Sequence, residues 1–128
     1  MALNRNTFQA LSDMEVLVLG GNGNLWLEDG PFGDVPPPRR QIDGNVEAFQ
    51  ALSDTEVLVL GSNRNLWLEH GPFGNIPPTR QQIDGNVIAF QALSGTEVLV
   101  QGADSNLWLE HGPFGDVPPP RQQVDGNV

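Results

Sequence analysis

A unit of 41 residues occurs three times almost unchanged and accounts for the whole chain except a five-residue lead, Met1 to Arg5. The units span 6–46, 47–87 and 88–128, which makes Phe8, Phe49 and Phe90 equivalent, and likewise Trp26, Trp67 and Trp108. A period in this range belongs to stacked or radial repeat folds, in which a unit cannot cover its own apolar faces and relies on its neighbours. The 128 residues make one ordinary domain, and they bury a sizeable core only if the repeats pack on each other. Three independent domains are therefore excluded.

Charge narrows the partners. Six arginines and no lysine stand against 16 acids, for a formal net charge of −10. Such a surface repels phosphate backbones and anionic lipid, so neither nucleic acid nor a membrane surface is an expected partner. The absence of cysteine removes disulfides, thiol nucleophiles and cysteine metal sites. The longest apolar runs, such as Val57 to Leu60, are of strand length, well short of the roughly 20 residues of a membrane span. Met1 to Arg5 lacks the apolar stretch of a signal peptide, so a soluble chain is expected, cytoplasmic if expressed as written.

The second unit reads as four strands. Ala48 to Leu52 makes a short first strand, ended by the turn pair Ser53-Asp54, whose side chains bond nearby backbone. Glu56 to Leu60 is apolar on both parities and rich in valine, as expected of a strand covered on both faces. Gly61 to Asn65 forms the next turn, and Leu66-Trp67-Leu68-Glu69 resumes an extended segment, giving a second hairpin. Gly71 to Pro78 is a long loop, because its prolines lack the ladder donor. Arg80 to Asp84 is a polar fourth strand, ended by Asp84-Gly85-Asn86. Differences among the units fall mostly in these turns and loops. The exception is Gln101, which replaces Leu60 within the buried strand, where an amide without a partner costs about 1–3 kcal/mol.

Two architectures use units of this size, the β-propeller and the β-trefoil. In order, Val46-x-Ala48-Phe49, Ser53-Asp54, Val57 to Ser62, Asn65-Leu66-Trp67 and the polar strand Arg80 to Asp84 resemble a propeller blade of WD or tectonin type. The resemblance covers all three units. It departs from WD repeats in lacking the Gly-His pair and the Trp-Asp dipeptide, and from sialidase-like blades in lacking a complete Asp-box. A trefoil would more often carry Gln-x-Trp near the unit end, and none is present. The expected fold is all-β, with three four-stranded antiparallel blades per chain, and a monomeric trefoil is the alternative. Three blades cannot close a ring. Closure by homo-oligomerisation is therefore expected, with a homodimer of six blades favoured over a trimer of nine.

Candidate ligand residues recur at equivalent positions. Trp26, Trp67 and Trp108 offer rings for stacking on a sugar, and Glu28, Glu69 and Glu110 lie two positions along as hydroxyl acceptors. Packing between blades is the stronger reading of the tryptophans. Phe32, Phe73 and Phe114 are read as anchors of the long loop. His70 and His111 stand where the first unit has Asp29, which is too little for a metal site. Arg39, Arg80 and Arg121 recur opposite in charge to Asp43, Asp84 and Asp125, which suggests ion pairs between neighbouring blades before it suggests a ligand role. No cofactor or metal is implied, and with no cysteine, no lysine and no phosphate-cradling loop, catalysis is not expected.

The leading expectation is a lectin-like, multivalent carbohydrate-binding propeller assembled from short chains, since radial repeats copy one weak site several times. In assembly it resembles tachylectin-type and fucose-lectin-type propellers. The alternative is an engineered or recently amplified self-assembling scaffold with no ligand.

Overall fold

The computed structural model describes residues 7–30, 33, 38–53, 55–71, 79–112 and 119–127. The lead Met1 to Arg5, Asp54 and the loop phenylalanines Phe32, Phe73 and Phe114 lie outside them. The first sheet comprises β1 (Phe8–Ala10), β2 (Glu15–Leu19), β3 (Leu25–Asp29) and β4 (Arg39–Asp43). The second comprises β5 (Val46–Ala51), β6 (Glu56–Gly61), β7 (Leu66–His70) and β8 (Thr79–Asp84), and the third β9 (Val87–Ala92), β10 (Glu97–Gly102), β11 (Leu107–His111) and β12 (Arg121–Asp125). Each is a four-stranded antiparallel meander in sequence order, and no described strand pairs with a strand of another sheet. That pairing is the pattern of propeller blades, and it excludes the trefoil, whose strands from different units share one barrel.

The strand alternation gives every blade two different faces. In the second sheet Val59 pairs across from both Phe49 and Trp67, and Val57 from Ala51 and Glu69, so these side chains share one face. Leu58 pairs with Gln50 and Leu68, which places them on the other. We call the first the leading face, because it packs against the preceding blade. Leu17, Leu25, Leu27 and Ile42 of blade 1 meet Val46, Phe49, Val57 and Val59 of blade 2 in one buried cluster. Leu58, Leu60, Leu66 and Ile83 of blade 2 meet Val87, Val98 and Val100 of blade 3 in the next. The continuous apolar run of β6 is thus explained, since one parity fills each of two interfaces.

Polar links reinforce the packing. The Gln9 side chain donates from Nε2 to the Ala51 carbonyl at 3.2 Å, and its Oε1 accepts from the Ala51 amide at 2.8 Å, so an amide side chain imitates a strand edge between blades. Gln50 repeats the contact by accepting from the Ala92 amide at 2.9 Å. On the other side of the blade, Ser62 N donates to the Asn45 carbonyl and Ala103 N to that of Asn86, each at 2.8 Å. Asn45 and Asn86 present those carbonyls from the left-handed region, with φ of 54° at both.

One expectation needs correction. Gln101 is not in a doubly covered strand. It lies half-buried on the trailing face of blade 3, where no further blade of this chain packs, so the expected burial cost does not arise there. Among the described residues no helix is long and apolar enough to cross a membrane.

Candidate functional site

The recurring tryptophan, glutamate and arginine converge at the blade interfaces. Trp67 and Glu69 sit on β7 and Arg80 on β8, all on the leading face of blade 2. The Arg80 guanidinium lies over the Trp67 ring at 4.0 Å from its centroid, held there by the attraction between a cation and the ring's negative face. Its Nη1 is 3.9 Å from Glu69 Oε2 and 3.7 Å from Oδ2 of Asp43, which comes from the preceding blade. Blade 3 repeats the arrangement. Arg121 is 4.0 Å above Trp108, 3.7 Å from Glu110 and 3.6 Å from Asp84 of blade 2. The ion pairs between neighbouring blades that charge alone suggested are present at both interfaces.

Charge balance explains the state of the central acid. Each interface has two carboxylates and one guanidinium, so full ionisation would leave a net negative charge around a glutamate that water does not reach. Glu69 and Glu110 are fully buried, and none of their four oxygens has a hydrogen-bond partner within geometric reach. Burial pushes the Glu69 carboxyl up from 4.5 to about 9, Asp43 adds to the shift and Arg80 opposes it. Glu110 is pushed to about 9 for the same reason, with Asp84 and Arg121 in the corresponding roles. Both acids are therefore neutral at physiological pH. The signal in the sequence was parity, because a residue two positions from Trp67 on a strand shares its face and is carried into the same interface.

Blade 1 has the same motif without a neighbour. Arg39 lies over Trp26 at 4.3 Å and 3.9 Å from Glu28, and no blade of this chain stands on that side. His70 and His111 lie elsewhere in their blades, with Nδ1 at 3.5 Å from Glu56 and 3.4 Å from Glu97 of the adjacent strand. Among the described residues no group of three His, Asp or Glu side chains could hold a metal ion.

A groove that these residues do not line opens where blades 1 and 2 meet. It has a volume of about 470 Å³, and its walls come from the β2–β3 turn, the β4–β5 connection, Thr7 and Ser62. The hydrogen-bonding side chains around it belong to Thr7, Asn22, Asn45, Glu47 and Ser62. Gly21 and Gly23 make room. Gly23 has φ of 85°, a conformation that its counterparts Arg64 and Ser105 adopt with side chains, at 70° and 69°. The next interface differs in this region, with Arg64 in the place of Gly23 and Ile88 in the place of Glu47. The glycine-rich turn Gly20-Gly21-Asn22-Gly23 was the available signal, since both changes relative to unit 2 remove side chains.

Meandering four-stranded sheets stacked face to face define the class, a β-propeller-like repeat protein. Among solved structures the chain is similar to the N-terminal domain of Nup159, a β-propeller, with a TM-score of 0.54 over 94% of this chain. At 11% identity that likeness shows the fold alone, and this chain spans 35% of the length of the Nup159 chain. No protein family matches the sequence. No curated protein matches it either.

Proposed function

We propose that the chain is a lectin-like propeller subunit that binds a polyhydroxylated, carbohydrate-type ligand in the rim groove between blades 1 and 2. The supporting observation is the donor and acceptor set around that groove. Two hydroxyls, two carboxamides and one carboxylate, from Thr7, Ser62, Asn22, Asn45 and Glu47, match the alternating donors and acceptors of a sugar's hydroxyl groups. The groove is open at the rim, so affinity per site is modest, and copies of the chain in one assembly supply avidity. In this reading Trp26, Trp67 and Trp108 and their glutamates and arginines hold blades, and the ligand meets the turns.

The test is a glycan array probed with the whole protein and with Gly23→Arg. Arginine already occupies the corresponding place in unit 2 at a φ of 70°, close to the 85° of Gly23, so the turn accommodates this substitution at the cost of placing a side chain in the left-handed region. Binding by the wild type that is lost in Gly23→Arg supports the groove. No saccharide bound by the wild type refutes it. A second reading, a self-assembling scaffold with no ligand, draws support from the tryptophans, since each has one ring face covered by its own arginine. An empty array combined with intact assembly would favour that reading.

A further inference from the structure

We propose that the leading face of blade 1 and the trailing face of blade 3 are the two halves of one interface, filled by a second copy of this chain docking head to tail. The evidence is a comparison of each end with its interior counterparts. On the leading side, Phe8 is 69% exposed, whereas Phe49 at the same place in blade 2 is 2% exposed. On the trailing side, Val124 is 53% exposed, whereas Ile42 and Ile83 are fully buried. Leu99 and Leu107 are likewise more open than Leu58 and Leu66, which lie in the buried cluster between blades 2 and 3. The apolar residues at both ends are those that an interior interface buries.

Charge says which surface covers them. Each interior interface joins an arginine of the following blade to an aspartate of the preceding one, Arg80 to Asp43 and Arg121 to Asp84. One member of the series is left at each end. Arg39 projects from the leading face over Trp26 and beside Glu28 of its own blade, with no aspartate of another blade opposite it among the described residues, and Asp125 at the trailing end has no cation opposite it among them. The amide bridges end in the same way. Gln9 reaches Ala51 and Gln50 reaches Ala92, so an exposed Gln91 and an exposed Ala10 are the next pair. Apolar surface, ion pair and amide bridge are all complementary between the two ends in a single register, that of the interfaces already formed. An unrelated partner would have to reproduce all three. This interface does not depend on the groove holding any ligand.

Light scattering of the 128-residue protein tests the proposal, followed by a charge swap across two chains. The wild type is expected at twice the 13.9 kDa chain mass. Arg39→Asp and Asp125→Arg each place like charges across both junctions of the ring, so each alone is expected to weaken association by about tenfold or more and run as a single chain. Mixed in equal amounts they are expected to regain the double mass. In the mixed pair one junction is native, and in the other the introduced acid faces the introduced arginine. Circular dichroism confirms that each variant keeps its sheet. A wild type that stays a single chain at high concentration overturns the proposal, as do single variants that associate like the wild type, or folded variants whose mixture does not re-form.

Discussion

Replacing Glu69 and Glu110 by glutamine, which keeps the shape of each side chain and removes its titration, should stabilise the protein at neutral pH and flatten its pH dependence. The folded carboxyls keep their protons up to about pH 9, whereas the same groups when unfolded release them near 4.5. Between those limits the folded state holds more protons than the unfolded one. The stability linked to these groups is thus complete below the unfolded value and is lost as pH rises through the window. The ceiling is about 1.4 kcal/mol per pH unit for each glutamate. The side chains of Arg80 and Arg121 are 31% exposed, so water reaches the rim of each cluster and the working figure is nearer 1 kcal/mol per pH unit for both together, about 3 to 5 °C in melting temperature.

Thermal unfolding followed by circular dichroism from about pH 5 to about pH 8 measures this slope directly. The net charge of −10 adds a slope of its own, because acid relieves self-repulsion in the compact state, and the double variant retains that background. Wild type minus variant therefore isolates the two glutamates. The variant's advantage should be about 2–3 kcal/mol near neutral pH and should vanish towards pH 4.5. If the glutamates were ionised partners of the arginines, glutamine would remove an attraction and leave the arginine underused. A variant that melts lower than wild type at neutral pH, or that keeps the full wild-type slope, would refute the neutral-acid account.

Arg80→Gln removes the cation above Trp67 and the tie to Asp43, and should cost about 1–2 kcal/mol in urea unfolding, while an unchanged midpoint would show that the cluster is only a surface pair. Leu58→Ala should cost about 3 kcal/mol because Leu58 is fully buried between blades 2 and 3. Its half-buried counterpart Leu99→Ala should cost about 1 kcal/mol in dilute protein, and equal losses at every concentration would mean that the trailing face of blade 3 is already covered. Gln101→Leu restores the residue that unit 2 has at this place and should raise the melting temperature of concentrated protein; a clear drop would show that the amide makes a contact the assembly needs.

The fold was legible because its determinants are local. The apolar run Val57 to Leu60 and the Gly61-to-Asn65 turn each specify their own backbone, and β6, β7 and β8 begin and end within a residue or so of where the sequence signals fall. Even the fourth strand, polar in composition, carries one fully buried apolar residue in each of units 1 and 2, Ile42 and Ile83, as the strand period requires. The site was less legible because its determinants are shared between units. Glu69 is an ordinary strand acid until Asp43 of another blade and a layer of leucines close over it. The groove depends on side chains missing from Gly21 and Gly23 relative to a neighbouring turn, which no single unit reveals.

The asymmetry of the blade governs what any number of copies can do. A leading face carries Phe, Trp and Arg, and a trailing face carries Leu, Ile and Asp, so the two faces complement each other and neither complements itself. Interfaces of this kind are heterologous, and adding blades end to end never reduces the open faces below one of each sort; only a rotation that closes the ring removes them. Each interior junction already tolerates a buried acid by keeping it protonated beside a single arginine. An open end lacks the aspartate or the arginine that completes this arrangement, as well as the apolar cover. Under the proposed head-to-tail docking, the same residues that stabilise the inside of the chain serve the contact between copies, and a substitution that improves the repeat uniformly should strengthen folding and association together.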